Sequence, residues 1–148
     1  VATKGEKMVH NLQEKLFEKY PKIFAQKELS PQQTSMCWGI STGDGWYALI
    51  DDLCKKIQVY IDRHKEDQVE AIQVKEKFGG LRFYTNGGCE EISTMIYEAE
   101  AKSYLTCEDC GSKEDIGHTS GWITTLCRTC AMKDERRKKN WKVNNEKR

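Results

Sequence analysis

Two Cys-x2-Cys pairs constrain this chain more than any other feature: Cys107 with Cys110 and Cys127 with Cys130, separated by the sixteen residues 111–126. Two residues between thiols let one tight turn aim both sulfurs at a single ion, and the longer gap lets a hairpin bring the second turn opposite the first. Gly111, directly after the first pair, suits the left-handed backbone that closes such a turn. The spacing predicts a structural Zn2+ held by all four cysteines. Four thiolates leave no open coordination position, so a site of this kind holds a fold and does not catalyse. A single Cys-x2-Cys would equally suit a thiol–disulfide redox pair; a second pair at this distance favours the metal. His118 lies between the pairs, but four cysteines already complete a tetrahedron. The two net negative charges of a tetrathiolate zinc would be offset by Lys113, Arg128 and Lys133, which are near in sequence.

A chain of 148 residues has room for one proper core and a small appendage. With 38% hydrophobic and 32% charged residues and two prolines, it reads as a soluble, helix-rich protein. No apolar run is long enough to span a bilayer, and the opening VATKGEKMVH lacks the apolar centre of a signal peptide. Cys37, Cys54 and Cys89 are left over after the metal set, an odd number that fits a reducing compartment. The expectation is therefore a cytoplasmic protein with no membrane partner. After Ala131 there are eight Lys or Arg against three Asp or Glu, a net of +5; with +1 for the whole chain, the first 131 residues carry −4. Within this basic tail, RRKKNWK has charge for a phosphate backbone in Arg136, Arg137, Lys138 and Lys139, and in Trp141 an aromatic able to stack on a base. A solvated terminal helix is the plainer reading of the same residues.

Apolar residues at helical spacing predict an amphipathic helix over 7–20, stopped by Pro21, with Ile23 and Phe24 packing back on the core. Residues 27–33 read as a polar linker, and 36–40 as a strand or an extended buried segment. Asp44 is placed to cap the helix that follows, whose stripe from Trp46 to Ile61 marks it as the central helix. Alternation over 69–74 and 81–85 around Gly79-Gly80 predicts a β-hairpin with Ile72, Val74, Leu81 and Phe83 on its buried face. Lys75, Lys77 and Arg82 then fall on the other face or the tip, available to phosphate or to an acidic partner. A helix over 90–104 leads directly into Cys107, and 122–126 should be the strand entering the second cysteine pair. The predicted fold class is α+β: a helical body with a β-hairpin over 1–104, a four-cysteine zinc ribbon over 105–131, and a basic tail over 132–148. Trp38, Asp44, Trp46, Lys77, Arg82 and Tyr84 are the best candidates for a site without metal, which the glycine-rich loops 43–45 and 79–80 could expose together; plain packing of the two tryptophans is the favoured alternative.

The runs GDGWYALIDDLC (43–54), QVKEKFGGLRFY (73–84), AEAKSYLTCEDCG (99–111) and GWITTLC (121–127) resemble a family of small proteins encoded by bacteriophages and prophages. The likeness covers about two thirds of the chain. It implies a phage or prophage origin and a bacterial host cytoplasm, and it brings no catalytic residues with it. Three functions compete. The first is a non-enzymatic zinc-binding protein acting on nucleic acid or on a nucleic-acid-associated host complex. The second is a phage effector that binds and inhibits a host defence or regulatory protein, such as an anti-CRISPR or anti-restriction factor. The third is a metal-dependent nuclease of the kind that carries paired cysteines around a His-metal finger, but only His118 lies between the pairs, sixteen residues are too few for that unit, and the chain shows neither a phosphate-binding glycine loop nor a nucleophile elbow. Asp44, Asp51, Asp52 and Glu76 could hold a divalent cation if they met in space, but Asp51 and Asp52 are adjacent on a helix and point apart, and helix capping and solvation account for these carboxylates.

Overall fold

The computed structural model describes residues 7–144. Helix α1, His10–Lys19, buries Gln13, Leu16 and Phe17 and ends at Tyr20, ahead of Pro21. It begins later than the apolar spacing predicts: Val9 is its N-cap with ψ at 146°, and the Met8 and Val9 amides go to the Ile40 carbonyl at 3.1 Å and to Asp44 Oδ1 at 2.9 Å. Asp44 thus anchors the start of α1. It does not cap the helix after it, which has no side-chain cap. Ile23 and Phe24 are buried as expected, Phe24 edge-on to Phe17 with centroids 5.1 Å apart. Short 3-10 turns at Ala25–Glu28 and Met36–Trp38 replace the predicted linker start and extended segment.

Strand β1, Ile40–Ser41, runs parallel to β2, Glu70–Lys77, which pairs antiparallel with β3, Gly80–Asn86. The two-residue turn is Phe78-Gly79, one position earlier than the Gly-Gly pair suggests. A bulge between Ala71 and Gln73 gives Ala71 the inward position and leaves Ile72 half-buried, whereas Val74, Leu81 and Phe83 face the core as predicted. Between these strands, α2, Tyr47–His64, buries Ile50, Leu53, Cys54, Ile57 and Ile61. Helix α3, Glu90–Ser103, opens on Glu90 and Glu91 at its positive end and packs on α2 and β3.

The remaining chain forms a second, smaller sheet and core. Strands β4, Ile116–Thr119, β5, Thr125–Cys127, and β6, Trp141–Val143, lie in the order β5-β4-β6. Two short helices, α4, Arg128–Ala131, and α5, Glu135–Asn140, connect β5 to β6. The strand predicted over 122–126 is shorter because the Thr119 hydroxyl donates to the Trp122 carbonyl and accepts the Thr124 amide, holding Trp122 in a turn. The basic stretch after residue 131 is integral to this module, since its β6 is the third strand of the sheet. Residues 145–148, the end of that stretch, lie outside the described residues. No helix among the described residues is long and apolar enough to cross a membrane.

Candidate metal centre

The four cysteines predicted as ligands converge: the Sγ atoms of Cys107, Cys110, Cys127 and Cys130 all lie within 4.8 Å of one another. Cys110 Sγ and Cys127 Sγ are 3.7 Å apart. Four sulfurs at about 2.3 Å from one ion sit about 3.8 Å from each other, whereas a disulfide would bring two of them to about 2 Å. The geometry is that of a cage for one metal ion. His118 is not part of the grouping. It lies mid-strand on β4, opposite Thr125 and Lys142.

Backbone groups shape both turns. In the first, the Gly111 amide donates to the Cys107 carbonyl at 2.9 Å, with Gly111 at φ +81° as the turn requires. In the second, the Cys130 amide points at Cys127 Sγ from 3.4 Å, and Cys127 is itself the N-cap of α4. Burial pushes the Cys107 and Cys130 thiols up. Burial also acts on Cys127, but the Cys130 amide and the neighbouring thiols hold it below its ordinary value. Four sulfurs this close ionise together only around a cation, so loading the cage releases protons.

The cage is tied to the body through its first turn. Glu108, between the first two ligands, is buried at 5% exposure; its carboxylate accepts the Gly43 amide at 2.9 Å and its carbonyl accepts the Gly45 amide at 2.7 Å. A Cβ on Gly45 would lie 2.3 Å from the Cys107 carbonyl oxygen, and one on Gly43 would lie 2.4 Å from that of Glu108. The glycines of this loop are there for close approach of two backbones. A buried indole reaches the chain just before each cysteine pair: Trp46 Nε1 donates to the Thr106 carbonyl and Trp141 Nε1 to the Leu126 carbonyl, each at 2.9 Å. Each of those carbonyls belongs to the residue just before the first cysteine of a pair. Arg128 lies over the Trp141 ring with Cζ 5.0 Å from its centroid and approaches Asp115.

The residues predicted for a site without metal are not brought together. Trp46 is fully buried, Asp44 is engaged with Val9, and the exposed Trp38 lines an open groove beside α1 with Lys7 Nζ 6.0 Å from its ring. Loops 43–45 and 79–80 are docking seats for the cysteine module; Thr125 Oγ1 donates to the Gly79 carbonyl at 2.6 Å and the Tyr104 ring covers Gly80. Nor do the acids gather: Asp51 holds Lys19 and Tyr20, Asp52 pairs with Lys56, and Glu76 accepts the Gly79 amide. The four cysteines are the metal-binding grouping found among the described residues.

Of the predicted partner-binding residues, Arg82 is drawn into the fold by Glu100 at 2.6 Å and Tyr104 at 3.2 Å, and Arg137 by Asp109 at 2.6 Å. Trp141 is buried at 8% exposure in the small core, which corrects its reading as a base-stacking residue. Lys77, Arg136, Lys138 and Lys139 are exposed, and Lys75 is half-buried on β2. Glu108 was invisible to motif reading because an acid inside a Cys-x2-Cys turn carries no local signal. Its partner loop lies 65 residues away.

Fold and site define a mixed α+β protein with four cysteines near its C-terminal end positioned to hold a metal ion. No protein-family model, curated protein or solved structure matches the chain.

Proposed function

We propose that the caged ion is a structural Zn2+, that the module around it is a zinc ribbon, and that the protein is a non-enzymatic interaction protein contacting nucleic acid. An all-thiolate tetrahedral donor set suits zinc and leaves no position for substrate. The observation that carries the nucleic-acid reading is on the same module: Arg136, Lys138 and Lys139 of α5 are exposed and form no ion pair among the described residues. Lys142, on the neighbouring β6, adds a fourth exposed cation. The metal cage, through β4 and its pairing with β6, gives this cationic surface a fixed form. Combined with the resemblance to phage-encoded proteins, the reading is of a zinc-stabilised protein acting on nucleic acid or on a nucleic-acid-associated host complex.

Phosphate contact makes binding fall with salt in proportion to the cations engaged. Fluorescence anisotropy with labelled DNA, single-stranded and duplex, across a salt series should give a steep log–log slope for whichever form binds. Replacing Arg136, Lys138 and Lys139 with Gln should reduce that slope by about 2–3. Binding that is absent at low salt, or a slope that the triple variant leaves unchanged, overturns the reading.

A further inference from the structure

Phe78 occupies a backbone position that its side chain does not favour. It is the first central residue of the β2–β3 turn at φ +53°, followed by Gly79 at +82°. Turns with positive φ at both centres favour Asn, Asp or Gly at that first position. The ring gains no burial in return, being 66% exposed. An outlying backbone that presents an exposed aromatic side chain points to a use outside the fold.

The surroundings name that use. The tip carrying Phe78 abuts the β4–β5 tip: a Cβ on Gly79 would lie 3.0 Å from the Ile123 Cγ2 methyl, and Thr125 holds the Gly79 carbonyl. Beside Ile123, at the second tip, Trp122 is 50% exposed. The same tip is tied to the end of α5, where the Ser120 amide donates to the Asn140 carbonyl at 3.0 Å. Two exposed aromatics therefore occupy adjoining tips, and each tip has cations close to it along the chain or tied to it. Lys77 Nζ lies 5.6 Å from the Phe78 ring, and Lys75 is two residues back on the same face of β2. Lys138 and Lys139 stand on the last turn of α5.

We propose that Phe78 and Trp122 form a stacking platform for the bases of single-stranded nucleic acid, with Lys75 and Lys77 near the first tip and Lys138 and Lys139 near the second holding phosphates. This deepens the nucleic-acid reading above and rests on it. Aromatic faces stack on any base once it is unpaired, while a duplex hides its base faces, so the platform selects single strands.

The test uses the full zinc-loaded chain, a labelled oligo-dT and a duplex of equal length. Phe78→Asn suits the turn and should not lower the melting temperature, and Trp122→Ala removes a half-exposed ring. The double variant should bind oligo-dT about tenfold or more weakly than the unaltered chain and bind duplex unchanged. Equal oligo-dT affinity in a double variant with unaltered melting overturns the platform and leaves the nucleic-acid reading standing. Duplex binding without oligo-dT binding does the same. Failure to bind either probe removes both.

Discussion

Gly45 shows how little room the seam between the two parts of the molecule allows. The three atoms nearest a Cβ at this position are all backbone: the Cys107 carbonyl oxygen at 2.3 Å, the Glu108 carbonyl oxygen at 2.6 Å and the Gly111 nitrogen at 2.6 Å. None of these is the mobile end of a side chain, so Gly45→Ala must push the cysteine turn away and break the Gly45–Glu108 hydrogen bond. The expected loss is at the upper end for overpacking, about 3 kcal/mol, measured as a lower urea midpoint. Gly121→Ala is the control. Nothing lies within 4 Å of a Cβ there, and φ is +75°, so only the left-handed backbone term of about 1–2 kcal/mol applies.

Helices α1 and α2 are joined across their exposed edge by Asp51, which accepts from Lys19 Nζ at 2.7 Å and Tyr20 Oη at 2.8 Å. Burial draws its carboxyl upward, but the hydrogen bonds from Lys19 and Tyr20 outweigh this and hold it below the usual carboxylate range. A depressed folded-state pKa stabilises the fold above the unfolded value, about 3.9, and that stabilisation fades as pH falls through the folded value. Asp51→Asn should therefore lower the melting temperature modestly at pH 7. The gap to the unaltered chain should close as pH falls below the ordinary carboxylate range; a gap independent of pH would exclude the linkage. The three long helices were legible because an amphipathic stripe is a local signal, as in α2 from Ile50 to Ile61. Elements made by distant pairing were not. Ile40–Ser41 becomes a strand only because β2 lies beside it, and Trp141 is hidden in sequence by the four cations and one amide that precede it, although its ring closes the small core. Asp44 serves a different helix from the one it precedes in sequence, because a carboxylate accepts whichever free amide the fold brings near, here that of Val9.

At the scale of the whole molecule, the cysteine module is a structural partner of the body. Amides from Gly43 and Gly45 and the indole of Trp46 end on the first cysteine turn or just before it, and Gly79 is held by Thr125. A structural zinc contributes on the order of 10 kcal/mol to a small module, comparable to the total stability of a domain. Chelation should therefore unfold the module and also lower the melting temperature of the helical body, followed by far-UV circular dichroism. One equivalent of zinc per chain should restore both. A body that melts unchanged after metal removal would show that the seam carries no stability.

The two buried indoles that donate to Thr106 and Leu126 give the molecule an optical property. Indole emission moves to longer wavelength when water reaches the ring. Trp38 and Trp122 are already at least half exposed, while Trp46 and Trp141 are buried, each bonded to the carbonyl just before one cysteine pair. A red shift on opening the cage would thus arise from the two buried rings, and replacing either with Phe would assign the shift to one cysteine pair. The chain carries its own pair of lamps, one bonded just ahead of each cysteine pair.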